Sequence, residues 1–374
     1  MQRPSTLLCG GLLALVACGP APSSTAPATT PSAQPEPVDV VQPRFQVDPF
    51  WARELPNDWI LGQVSGIDVD EADHVWVLHR PETLDERQRG EEGMCCVPAP
   101  PVIELDPGGN VVGAWGGPGE GYDWPASEHG IHVDTAGHVW IGGNGQGDAH
   151  ILKFDRDGAF LLQIGQPGAS GGSNDTENLG RPAGVQVDAV ENELYVADGY
   201  GNRRVIVFDA DTGEYRRHWG AYGEPPDDVA LAPYDPDAEP IRHYRSPVHD
   251  VAIADDGLVY VADRTNNRIQ VFQKDGTFIT ESWIRPETLG SGSASGVALS
   301  EDPGQQWLFV PDGTNNVIWI VDRATLEVRY HVGRLGKRAG QFYRLHNVAV
   351  DSRGNLYTTE VNVGQRFQKF DRLR

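Results

Sequence analysis

The sequence predicts an all-β fold, a six-bladed β-propeller, and three observations carry that prediction. A short hairpin phrase recurs six times, opening at Ser65, His129, Ala183, His249, Ser295 and His346. Successive copies start 64, 54, 66, 46 and 51 residues apart, room for about four strands and their loops. In the clearest copy Val251 and Ile253 alternate before an Asp-Asp-Gly turn, and Leu258, Tyr260 and Ala262 alternate after it. The predicted blades also end alike, on Trp115-Gly116, Ile164-Gly165, Trp219-Gly220 and Val332-Gly333, where Gly lets an outer strand turn toward the next inner one.

Residues 1–17 read as a lipoprotein signal peptide. Arg3 supplies charge, Leu7 to Val16 an apolar run, and Leu15-Val16-Ala17-Cys18 resembles a lipobox, which makes Cys18 the lipidated residue. An ordinary cleaved signal peptide is the alternative. Residues 18–43, rich in Ala, Pro, Ser and Thr, read as a disordered tether. The expected location is a bacterial cell envelope, with membrane contact through the lipid alone.

The propeller is expected over 44–374. Phe45 to Phe50 alternates and would close the ring by pairing with the last blade, hiding a sheet edge. Blade 1 spans about 61 to 115, with a charged excursion at 82–92 and a proline-rich stretch at 98–101, read as loop because Pro cannot serve a central strand. Between them lie adjacent Cys95 and Cys96. An oxidising compartment favours a vicinal disulfide, although two free thiols would have the same sequence. The polar stretch 168–181 is a long crossover. The phrases opening at Gly201, Asn266 and Asn315 suit turns with positive φ.

Acidic residues outnumber basic ones 53 to 30, a net charge of −23, which argues against a nucleic-acid partner and for a solvated surface. A monomer is the expected working unit.

The opening position of the repeat points to chemistry. It holds His129, His249 and His346 in blades 2, 4 and 6, where 11 His in 374 residues would place about 0.2 among six slots by chance. The opening strand of a propeller blade is the innermost one, so alternate blades would aim three imidazoles at one axis. Three neutral imidazoles form an open ligand set for a divalent metal, zinc being the first expectation. Each His taken singly is more often a satisfied structural residue, and it is the alternation that favours a metal. Positions just after the second strand share a face with the trio and hold Arg80, Tyr200 and Arg264. Two guanidinium groups and a phenol suit a small-molecule or peptide substrate bearing a carboxylate or carbonyl, with the phenol as proton acceptor. Asp198, Asp263 and Asp312 read as strand-end hydrogen bonders.

With these residues in view, the chain resembles NHL-repeat propellers, and over about 59–374 it is similar to the lyase domain of peptidylglycine α-amidating enzymes. The motifs that carry the likeness are His129-Gly-Ile131, Asp198-Gly-Tyr200-Gly-Asn202, Val248-His249, Ala262-Asp-Arg264-Thr-Asn-Asn-Arg268 and Leu345-His346. Those lyases split a peptidyl-α-hydroxyglycine into a peptide amide and glyoxylate. The resemblance implies zinc ligands at His129, His249 and His346, a catalytic Tyr200, and active-site arginines at Arg80 and Arg264. It also implies an axial calcium site with the carbonyls of Ile67 and Ile131, whose third ligand, an Asp in the family, is Asn347 here. A family methionine is Arg344, and no copper monooxygenase domain is present in this sequence. The reading is a metal-dependent carbon–nitrogen lyase; the alternative is a non-catalytic NHL-repeat binding propeller of the cell envelope.

Overall fold

The computed structural model describes residues 42–90 and 95–373. The signal peptide at 1–17, Cys18 and nearly all of the tether lie outside the described residues.

Six four-stranded antiparallel sheets follow one another along the chain. The innermost strands are Gln63–Val69, Glu128–Val133, Val185–Asp188, Val248–Ile253, Ala298–Leu299 and Leu345–Val350. In blades 1 to 5 the chain then steps outward strand by strand. Blade 6 borrows its outer strand from the other end of the chain: Arg44–Asp48 pairs antiparallel with Arg366–Leu373. That is the closure expected from the alternation at 45–50, and it covers the edge that Arg366–Leu373 would otherwise expose.

Three hairpins, in blades 1, 2 and 6, are pinned by their own repeat. The Asp ending the first strand accepts turn N–H groups through one oxygen and an aromatic donor of the second strand through the other. Asp70 takes Ala72, His74 and Trp76 Nε1 in this way, and Asp134 takes Ala136, His138 and Trp140 Nε1. The period-2 apolar residues fill the seams between blades: Trp76, Leu78 and Val102 of blade 1 meet Ile131, Val139 and Ile141 of blade 2. Burial of such side chains contributes roughly 1.5–3 kcal/mol each and binds neighbouring sheets together.

The far end of the second strand carries a buried polar clasp. Asp198 pairs with Arg204 at 2.9 Å, Asp263 with Arg268 at 2.8 Å, and Glu360 with Arg366 at 2.6 Å. Asp312 serves Thr314, Asn315 and Trp319 instead. These carboxylates are the strand-end hydrogen bonders that the sequence suggested.

Two local expectations are corrected. Val97–Pro98 is not plain loop: it pairs in parallel with Trp59–Ile60, a two-residue edge where a missing N–H is tolerated. Asn267 and Asn316 do take positive φ, 57° and 59°, but Gly201 does not. Gly201 is needed for close approach, since a Cβ there would lie 2.7 Å from the carbonyl of Gly180. Cys95 and Cys96 form a disulfide. The crossover at 168–181 is tied down, with the Ser173 and Asp175 carbonyls accepting from buried Arg204.

Candidate metal centre and active face

The trio sits on β-bulges. Pairing of the first two strands is interrupted between Glu128 and Ile131, between Val248 and Asp250, and between Leu345 and Val348, the stretches that hold His129, His249 and His346. A bulge leaves a residue out of the ladder and re-aims its side chain, here toward the axis. The three ring centroids stand 4.9, 4.8 and 5.0 Å apart, nearly an equilateral triangle. One nitrogen from each can converge within 4.8 Å of the others, and all three residues are buried.

Backbone carbonyls of neighbouring blades set the tautomers. His346 Nδ1 is 2.7 Å from the Ser65 carbonyl, and His249 Nδ1 donates to that of Ser295. A ring nitrogen that meets a carbonyl must carry the proton, which leaves Nε2 as a lone-pair donor. The Nδ1 of His129 is buried with no hydrogen-bond partner. Burial, then mutual repulsion and the nearby arginines, pushes His129 well below the usual histidine range; burial, then Arg264 and His346, does the same to His249. Desolvation, aided by Arg80 and Arg264, takes His346 down to about 3. Three neutral, converging imidazoles fit a divalent metal.

Tyr200 closes the open side of the triangle. Its hydroxyl is 3.0 Å from Nε2 of both His129 and His249, and a guanidinium nitrogen of Arg264 donates to it at 3.2 Å. The head of Arg80 is fixed by the Glu128 carbonyl at 2.6 Å, Gln63 at 3.3 Å and Asn144 at 3.1 Å. Desolvation lowers the Arg80 pKa without discharging the group. The structure thus gathers His129, His249, His346, Tyr200, Arg80 and Arg264 on one face of the ring.

On the other side of the trio lies an axial cavity of about 360 Å³, whose wall includes Ile67, Ile131, Asn347 and Asp250. The position after the opening residue is Gly in four blades because blades crowd at the axis: a Cβ on Gly130 would lie 2.1 Å from the Ala183 carbonyl. Asp250 and Asn347 are the two exceptions, so their side chains fill the space that the glycines leave. Asn347 Oδ1 is buried without a partner, as a cation ligand would be before loading. Asp250 accepts Val251 N–H and Val297 N–H, stapling blade 4 to blade 5, and burial pushes its pKa up to about 7.

Sequence reasoning missed Asn144 and Glu128, which hold Arg80, and Arg181, whose guanidinium lies over the Tyr200 ring at 5.7 Å. None of the three occupies the repeat positions that were compared, and backbone carbonyl partners leave no side-chain signature at all.

Fold and site together define the class: a six-bladed β-propeller with a buried cluster of three histidines on its axis. The NHL repeat profile matches residues 248–272, the three inner strands of blade 4. The chain is similar to peptidyl-alpha-hydroxyglycine alpha-amidating lyase 1 of Drosophila melanogaster, 26% identical over 344 residues covering 84% of this chain and 58% of that protein. It is likewise 25% identical over 274 residues to the peptidyl-glycine alpha-amidating monooxygenase of Mus musculus, covering 70% of this chain and 25% of that one. The chain therefore spans between a quarter and three-fifths of these relatives. A solved streptogramin B lyase structure superimposes with a TM-score of 0.51 at 14% identity, over 88% of this chain and 98% of that one, a likeness of fold alone.

Proposed function

We propose that this propeller is a metal-dependent carbon–nitrogen lyase of the peptidyl-α-hydroxyglycine amidating type, releasing glyoxylate from an α-hydroxy amide. The observation that carries the reading is the Tyr200 hydroxyl, 3.0 Å from two of the three converging histidines. His129, His249 and His346 would hold the metal, zinc in our reading, through Nε2. When bound it supplies Lewis acidity toward the substrate hydroxyl.

The rest of the chemistry falls to side chains of the chain itself. Arg264 and Arg80 bind and orient the substrate carboxylate, the bidentate geometry for which guanidinium is suited. Tyr200, whose hydroxyl is held by Arg264, takes the hydroxyl proton. The O–H electron pair becomes the carbonyl of glyoxylate, the C–N pair leaves with the amide nitrogen, and that nitrogen takes up a proton. Burial of the three histidines keeps water from competing for the centre.

Within the same proposal, calcium occupies the axial cavity, with the Ile67 and Ile131 carbonyls and Asn347 as ligands. The protein works as a monomer on a small-molecule or peptide substrate, exported to the cell envelope and anchored by a lipid on Cys18, with no nucleic-acid partner. The deciding experiment is metal analysis of the purified chain followed by a glyoxylate-release assay on a hydroxyglycine peptide. Stoichiometric metal with glyoxylate release supports the reading, and metal-loaded protein that releases none from any hydroxyglycine peptide sinks it.

A further inference from the structure

Arg181 and Arg344 occupy the same place in the repeat. Each stands two residues before the opening position of its blade, Ala183 in blade 3 and His346 in blade 6, and blades 3 and 6 face each other across the ring. The corresponding residues elsewhere are Gln63, Ser127, Pro247 and Ser293, none of them charged.

Both arginines are held in the left-handed region, at φ 61° and 66°. Such a backbone costs a residue with a Cβ about 1–3 kcal/mol, and Arg181 also precedes Pro182, which disfavours compact backbone further. The same bonds hold both in place. The Arg181 carbonyl accepts Tyr200 N–H at 3.2 Å and the Arg344 carbonyl accepts Val361 N–H at 3.1 Å, each donor lying just past a second strand. Their own N–H groups go to the Asp148 carbonyl at 2.8 Å and to Asn316 Oδ1 at 2.6 Å. Strain that is over-determined in this way gathers where a side chain must be presented.

What is presented is unused charge. Arg204, Arg217, Arg268, Arg323 and Arg366 each pair with a carboxylate. Among the described residues, Arg80, Arg181, Arg264 and Arg344 pair with none, as is also true of several arginines such as Arg203, Arg245, Arg334 and Arg338, in a chain with 53 acidic side chains. Arg181 donates only to the Asn144 carbonyl, at 2.8 Å, and with Arg264 it flanks the Tyr200 ring at 5.7 and 5.6 Å. Arg181 thereby sets an unpaired cation beside Tyr200 on a strongly acidic protein, and such a cation focuses anions.

We infer that Arg181 and Arg344 form a second anion subsite at the mouth of the axial centre, so that the substrate carries a second acidic group besides the carboxylate taken by Arg80 and Arg264. Resting on the lyase reading, this names the substrate class: a dianionic α-hydroxy amide, such as a peptide whose residue before the hydroxyglycine is aspartate or glutamate.

The test uses non-cleavable probes that lack the hydroxyl. Acetyl-aspartyl-glycine and acetyl-asparaginyl-glycine are titrated calorimetrically into the zinc-loaded chain. The aspartyl probe should bind about tenfold more tightly, the worth of one charge-assisted contact, and added salt should shrink the ratio. Arg181→Gln and Arg344→Gln should each reduce the preference, Arg181→Lys should recover part of it, and the double Gln variant should bring the ratio to about one. Arg181→Gly, which relaxes the backbone, gives the same answer if a Gln variant folds poorly. Equal affinities in the unmodified chain, no binding of either probe, or a preference that survives in the double variant would overturn the subsite. Failure of glyoxylate release sinks the lyase reading instead and leaves this binding result standing.

Discussion

Nδ1 of His346 meets the carbonyl oxygen of Ser65 at 2.7 Å, across the seam where the last blade closes on the first. One contact therefore joins ring closure to the metal centre, because the proton it requires on Nδ1 leaves Nε2 free for the axis. Replacing His129, His249 or His346 singly by Ala should lower zinc content from about one ion per chain to near zero, with far-ultraviolet circular dichroism unchanged. Stoichiometric zinc in the triple variant would refute the centre.

Tyr200→Phe removes only the hydroxyl that reaches His129, His249 and Arg264. The variant should keep its metal and its melting temperature while turnover falls by about 10²–10⁴-fold, the scale of a lost proton acceptor. Turnover at the original rate removes Tyr200 from the mechanism.

Acid should destabilise the metal-free protein through the trio. Burial holds the imidazoles below their usual range, His346 at about 3, so the unfolded chain takes up protons near pH 6.5 (about the free-histidine value) that the folded chain refuses. Stability is present above that pH and is lost as pH falls through it. Asp250, raised to about 7, acts in the opposite direction. The measurement is accordingly a difference: chelator-treated protein should lose melting temperature between about pH 7 and pH 5, and His346→Gln should lose less. An identical slope in both would be evidence against a neutral buried His346.

The clasp of blade 4 is a stability element. Arg268 is 1% exposed and Asp263 fully buried, so Arg268→Ala leaves a buried carboxylate without its partner and should cost about 3–5 kcal/mol by urea denaturation. Arg216, paired with Asp209 but 47% exposed, is the control, and its loss should cost no more than about 1 kcal/mol.

Arg344→Gly should raise stability by about 1 kcal/mol, because Gly accepts φ 66° without the Cβ clash and the native arginine makes no side-chain bond among the described residues. A lowered melting temperature would show that the side chain contributes to packing after all.

The repeat was legible in the chain because a β-hairpin is a local object. Alternation at Val251 and Ile253, the Asp-Asp-Gly turn and a spacing near four strands are all properties of neighbours in sequence, and blade number followed from counting. The alternating histidines were legible for the same reason, as was the closing strand at 45–50. What only the tertiary structure decided is where the side chains point and what they meet. Period-2 alternation would send His249 and Val251 to one face; the bulge between Val248 and Asp250 breaks that register and turns His249 to the axis. The tautomers depend on carbonyls of Ser65 and Ser295 from other blades, and those atoms are the same whatever the residue. The guanidinium of Arg181 lies over the Tyr200 ring from a left-handed backbone residue that is braced by the Asp148 carbonyl of the preceding blade and by Tyr200 N–H. Local propensity sets the blades; contacts between blades, invisible to any window of sequence, set the chemistry at their centre.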